Sequence, residues 1–121
     1  MVDVNEMVRN ILKTIDGVTV KFYHPEQFVK LPVITYYEIG NTTGMCADNE
    51  EWGQKTYIAV DIWCKGGGEC SRLAVKVDGV MQNHGWYREL SHDMPKETKG
   101  KITVCRKNMR FYKHIFFERN D

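Results

Sequence analysis

The chain lacks any apolar run approaching the roughly 18 residues that a bilayer-spanning helix needs, which excludes a transmembrane helix. It also lacks a dominant sign of charge. Seventeen Lys and Arg stand against 16 Asp and Glu, a formal net charge of +1, and this near-neutral balance argues against direct nucleic-acid binding. No CxxC pair is present: Cys46, Cys64, Cys70 and Cys105 are well separated, and His24, His84, His92 and His114 are isolated. Structural zinc sites draw on short ligand pairs, so four reduced thiols with no metal are expected, in keeping with an intracellular chain. GxSxG and HExxH are missing too, and Glu89, His92 and Asp93 form the densest titratable cluster on a predicted strand. Alternation puts Glu89 and Asp93 on one face and His92 on the other, so no triad forms there, and neither catalysis nor a cofactor is expected. The N-terminal MVDVNEMVRNILK carries acids before its first base and no uninterrupted apolar stretch, unlike a secretory leader.

What remains is a 121-residue chain, 42% hydrophobic and 12% aromatic, read as one globular domain spanning 1–121. At this size roughly two thirds of the unfolded chain's surface is buried on folding, enough for a core without disulfides. Between Asp3 and Asp16, Val4, Met7, Val8, Ile11, Leu12 and Ile15 recur at helical spacing, with Asp3 as expected N-cap and Gly17 as expected stop. Alternation then predicts strands over Val18–Tyr23 and Val33–Gly40, separated by His24-Pro25. Asn41–Gly53 has no sustained period and reads as a long loop or an extended hairpin tip.

In TYIAVDIWC, residues Ile58, Val60, Ile62 and Cys64 share one face. The other face, Tyr57, Ala59, Asp61 and Trp63, is only half polar, as on a strand that something further covers. A glycine run, Gly66–Gly68, leads to a helix with a stripe of Cys70, Leu73, Val77, Val80 and Met81, ended by Asn83 and Gly85. The run lacks the Lys-Ser/Thr of a phosphate-binding loop, and Glu69 occupies the anion position, so it is read as a connector. Trp86–Asp93 reads as a strand closed by Pro95, and Ile102–Glu118 as mostly strand after a polar turn at Glu97–Gly100. The grouped elements predict an α+β domain: a mostly antiparallel β-sheet with two α-helices packed on one face.

Charge is polarised along the chain. From Lys99 to Arg119 seven cations face Glu118 alone, net +6, whereas Glu38 to Asp61 carries five carboxylates against Lys55, net −4. One reading makes the C-terminal part a nucleic-acid surface with Phe111 and Tyr112 as stacking platforms, although Phe111 is equally explained as core. The other lets acidic and basic surfaces meet across a head-to-tail interface.

The order of elements, with LPVITYYEIGN, DNEEWGQ, YIAVDIWCK, CSRLAVKVDGVMQNHGW and NMRFYKHIFFE, resembles the tail terminator (tail completion) proteins of long-tailed bacteriophages, the group with a lambda minor tail protein U-like fold. The glycine run and the four cysteines depart from that pattern. The resemblance implies a virion protein without catalytic residues. Such a protein forms a ring of copies of itself, commonly a hexamer, caps the tail tube and meets the head's connector or completion protein. It would be assembled in the host cytoplasm and reside at the head-proximal end of the tail. A related neck protein is the alternative. On this expectation Asp48, Glu50, Glu51 and Trp52 form one contact surface toward a neighbouring subunit or the tube, and Arg106, Lys107 and Arg110 the complementary one. Trp and Arg are the residue types that most often dominate interface energetics.

Overall fold

The computed structural model describes residues 1–23, 30–47, 50–99 and 101–117, with the side chains of 45–47, 50, 51 and 99 outside that description. The order is α1 (Asn5–Leu12), β1 (Thr19–Phe22), β2 (Val33–Ala47), β3 (Glu50–Cys64), α2 (Gly67–Asn83), β4 (Tyr87–Lys99) and β5 (Ile102–Phe116). The strands form one sheet in the order β1-β2-β3-β5-β4. All pairings are antiparallel except β1 with β2. Both helices pack on one face, so the fold is the α+β arrangement the sequence predicts. No helix among the described residues is long and apolar enough to cross a membrane.

The amphipathic spacing explains the helix-covered face. α1 buries Val8, Ile11 and Leu12, and α2 buries Cys70, Leu73, Ala74, Val77 and Met81. They meet Ile34 and Tyr36 of β2, Ile58, Val60 and Ile62 of β3, and Met109 and Phe111 of β5 in one core. Burial also raises the Tyr36 hydroxyl above its ordinary titration range. α2 ends as expected: Gly85 adopts φ +85°, a conformation glycine takes without strain, and its N–H donates to the Gln82 carbonyl at 3.0 Å. The next N–H, that of Trp86, donates to the Met81 carbonyl at 3.0 Å and sends the indole into the core.

α1 is shorter than its apolar period. It stops at Leu12, and Ile15 reaches the core from the following turn, with Thr14 Oγ1 donating to the Ile11 carbonyl at 2.7 Å. Asp3 is not the cap residue. The helix starts at Asn5 after Val4, and Asp3 Oδ1 accepts the Asn5 N–H at 3.0 Å. The N-terminal segment is instead fixed by buried Gln54 of β3: its Oε1 accepts the Val2 N–H at 2.7 Å, and its Nε2 donates to the Val2 carbonyl at 2.9 Å and to Thr56 Oγ1 at 2.7 Å.

Two boundaries are decided by the strand pairing. Asn41–Gly53 is no loop but takes the second of its two readings, the extended hairpin: β2 runs to Ala47 and β3 begins at Glu50, with register shifts at 38/40, 43/45 and 45/46. Its polar residues hid the strands because outward-facing segments show little hydrophobic alternation. Pro95 does not close its strand either. β4 continues to Lys99, and the proline falls within a bulge between Met94 and Glu97 on an edge strand, where a missing N–H costs no ladder bond. The His24-Pro25 break lies outside the described residues.

Phe111→Ala should cost about 3 to 5 kcal/mol, because a fully buried ring leaves a cavity under α2. Urea unfolding checks this; a loss below about 1 kcal/mol would put the ring outside the core.

Candidate functional site: the open face of the sheet

Among the described residues no helix covers the second face of the sheet, yet its two halves differ. Toward one end it is closed by a small cluster of its own. Trp63 is fully buried with Val33 and Val104, and Leu31 packs against them. The Trp63 indole N–H donates to Thr35 Oγ1 at 3.0 Å, and the Arg106 guanidinium lies over the indole at 4.7 Å. One residue pair along, β3 carries Asp61, a buried carboxylate at the centre of the sheet. Its Oδ1 accepts Arg106 Nε at 3.1 Å and Asn108 Nδ2 at 2.8 Å, and Arg106 reaches Glu97 at 3.4 Å. Buried charge persists where it is paired and hydrogen-bonded, and this cluster meets both conditions. The half-polar second face anticipated for TYIAVDIWC is therefore covered by the domain's own residues at Asp61 and Trp63.

Toward the other end the face stays open and aromatic. Tyr57 of β3, Tyr112 of β5 and Tyr87 of β4 are register neighbours. Tyr87 and Tyr112 stack at 5.5 Å with 26° between ring planes, and Tyr57 lies 6.5 Å from Tyr112. Lys55 Nζ sits 5.2 Å from the Tyr57 ring centre and 4.7 Å from that of Tyr112. A hydrogen bond with Tyr57 holds its ammonium above the usual lysine range. The surround is apolar and cationic: Leu90 lies opposite Arg110, His114 meets Tyr112 edge-on at 6.2 Å, and Phe116 closes over Gly53. Tyr87 is 61% and Phe116 66% exposed, large values for aromatic side chains on one sheet face. Gly53 has a steric reason to be glycine, since a Cβ there would stand 2.9 Å from the Ile115 carbonyl oxygen.

The residues singled out in the sequence do not gather in one place. Asp48 lies outside the described residues; Glu50 and Glu51 open β3, their side chains undescribed. Trp52 is 38% exposed beside them, and its carbonyl accepts the Phe117 N–H at 2.9 Å. Arg106 stands opposite Trp63, eleven residues further along β3 and hence about 36 Å from Trp52 at the rise of an extended strand. Arg106 and Arg110 face the open side, but Arg106 is engaged by Asp61, Glu97 and Trp63. Lys107 points to the helix side, 3.5 Å from Asp93. Only Arg110 of the three belongs to the open aromatic surface. Lys55, Tyr57 and Tyr87 were missed as surface residues. The half-apolar second face of TYIAVDIWC was their one signal, because pairing across three strands requires the register.

No protein-family model matches the chain, and no curated protein matches it.

Arg106→Met should destabilise the domain by roughly 3 kcal/mol, the low end for a broken buried pair because Arg106 keeps some solvent. Adding Asp61→Asn should restore at least half of that loss in urea unfolding. An unchanged loss in the double variant would mean that Arg106 acts through packing on Trp63 rather than through the carboxylate.

Proposed function

We propose that this chain is a structural assembly subunit of the tail-terminator kind. In this reading it joins copies of itself in a ring, commonly six, that caps a completed phage tail tube. The ring then offers a surface to the head-completion or connector protein at the head-proximal end of the virion. The observation that carries the reading is the open half of the sheet face, where Tyr87, Leu90 and Phe116 are exposed beside Lys55 and Arg110. Tyr, Phe and Arg are enriched in protein interfaces.

The separation of charge supports it. Glu50 and Glu51 open β3, and Arg110 lies opposite Ala59, about eight residues or 26 Å further along that strand. Groups so far apart are screened from each other within one subunit at physiological salt. Between subunits related head to tail, the acidic tip of one copy meets the cationic face of the next, and a rotation that closes gives a ring. The resemblance in element order and segments points the same way, toward a tail terminator or a related neck protein.

One observation favours a second reading. Stacked Tyr87 and Tyr112, with Lys55 over the Tyr112 ring, form the kind of aromatic and cationic platform on which single-stranded bases stack, at about 1 to 3 kcal/mol per base. Glu89 lies close enough to act on the Lys55 charge, and a carboxylate beside the platform disfavours a phosphate backbone.

Sedimentation of the purified chain, alone and with a phage tail-tube protein, tests the assignment. The expected outcome is a closed oligomer that Leu90→Glu or Arg110→Glu dissociates at least tenfold in concentration, while Lys76→Glu on the helix side leaves it intact. A monomer under both conditions would sink the ring, and retention on single-stranded DNA with a steep salt dependence would favour the second reading.

A further inference from the structure

A cavity of about 130 Å³ lies on the open side of the sheet, toward the β1–β2 border, and is lined by Tyr23, Tyr37, Asp61 and Arg106. Tyr37 belongs to β2, two residues beyond Thr35, which pairs with Asp61. Tyr23 follows directly after β1 with φ +69°, a left-handed backbone that a bulky residue adopts only under constraint. Its N–H donates to the Tyr36 carbonyl at 2.8 Å, and its ring meets that of Tyr37 at 5.1 Å with 41° between planes. Tyr23 is nevertheless 60% exposed, so burial of the ring does not account for the strained backbone. Strain of this kind persists where the surrounding structure enforces it, and it gathers at functional positions.

The polar groups around this cavity are not equally engaged. Asp61 Oδ1 accepts both Arg106 Nε and Asn108 Nδ2, while Oδ2 takes no donor among the described residues. Arg106 is held by Asp61, by Glu97 and against the Trp63 ring, so it forms a wall rather than a free cation. Two carboxylates around one guanidinium leave a net negative charge there. Lys21, paired with Thr35, and Arg110, paired with Ala59, are the nearest other cations by register; both are exposed and neither lines the cavity. An unengaged carboxylate oxygen beside two electron-rich rings is the chemistry that holds an organic ammonium. The volume excludes a drug-sized molecule, which needs roughly 300 to 1,000 Å³, and suits a single charged head group.

We propose that Tyr23, Tyr37 and Asp61 form a binding site for one alkylammonium group. Asp61 Oδ2 and the two aromatic rings recognise the charge, and Arg106 with Asn108 fixes the carboxylate in place. The same head group is found on a free quaternary ammonium compound and, as a primary ammonium, at the end of a protein lysine. The turn at Tyr23 sets the wall that either would meet. The site shares no residue with the row of Tyr57, Tyr112 and Tyr87, so it stands whether or not that row joins copies of the chain.

Titration of the folded, isotope-labelled chain with tetramethylammonium, n-butylammonium and the neutral analogue tert-butanol, followed by amide chemical shifts, tests the site. The expected result is saturable shifts centred on Tyr23, Tyr37 and Asp61 with an ammonium, and none with tert-butanol. Tighter binding of tetramethylammonium assigns a free quaternary ligand, and tighter binding of n-butylammonium a lysine side chain. Tyr23→Gly relaxes the positive φ while deleting the ring, so the variant should fold and bind about fivefold more weakly or worse. Tyr23→Phe keeps the ring and should stay within about twofold of the wild type. Absence of saturation with both ammoniums, equal shifts with tert-butanol, unchanged binding in Tyr23→Gly or loss of binding in Tyr23→Phe would each overturn the assignment.

Discussion

Between Ile58 and Cys64, β3 is buried on both of its faces, although the fold supplies helices for only one. Every other element answers to that constraint. On the helix side the answer is apolar packing from α1 and α2, the dominant favourable contribution in a domain of this size. On the other side it combines an indole, a guanidinium and a buried carboxylate. Trp63 brings apolar area but also a donor that Thr35 must accept; Asp61 brings a charge that Arg106 and Asn108 must accommodate. Removing one member leaves another unpaired in a site with little water, so the cluster behaves as a unit.

How much of this could be read from residues alone follows from the same constraint. The strands of the core announced themselves because one face of each is apolar, and Ile58, Val60 and Ile62 alternate cleanly. The far half of the β2–β3 hairpin did not. Residues such as Asn41, Thr42 and Thr43 pair with Thr56, Lys55 and Gln54 without an apolar side to mark them. Pro95 signals the end of a strand only where its missing N–H would face a partner, and at an edge bulge it faces none. The interface residues divide for a similar reason. Arg106 and Arg110 look alike in sequence, and only a carboxylate 45 residues away makes one a structural residue and leaves the other on the surface.

The open tyrosine face and the three cysteines Cys64, Cys70 and Cys105 lie on opposite sides of one sheet. The tyrosine row depends on the register of three strands, which the Gly53 close approach helps to fix, since any side chain there would push β5 away from β3. The cysteines depend on the entry of α2, which Gly66 and its neighbours set. A change at either place therefore reaches the other only through the stability of the core between them.

β4 forms one border of the sheet, 13 residues long, with an outer rim of backbone donors and acceptors. A rim of that length invites strand addition by another chain unless something interrupts it. Here the irregularities at 88/90 and 94/97, Pro95 and the neighbouring Lys96 break it into short stretches. On the opposite border β1 covers only Val33–Tyr36, and beyond them the edge belongs to β2, which the irregularities at 38/40, 43/45 and 45/46 interrupt. With both borders blunted, growth of the sheet from one molecule into the next is disfavoured. Any association is thereby left to side chains on a face, which can be matched in shape and charge and so can stop at a fixed number of copies.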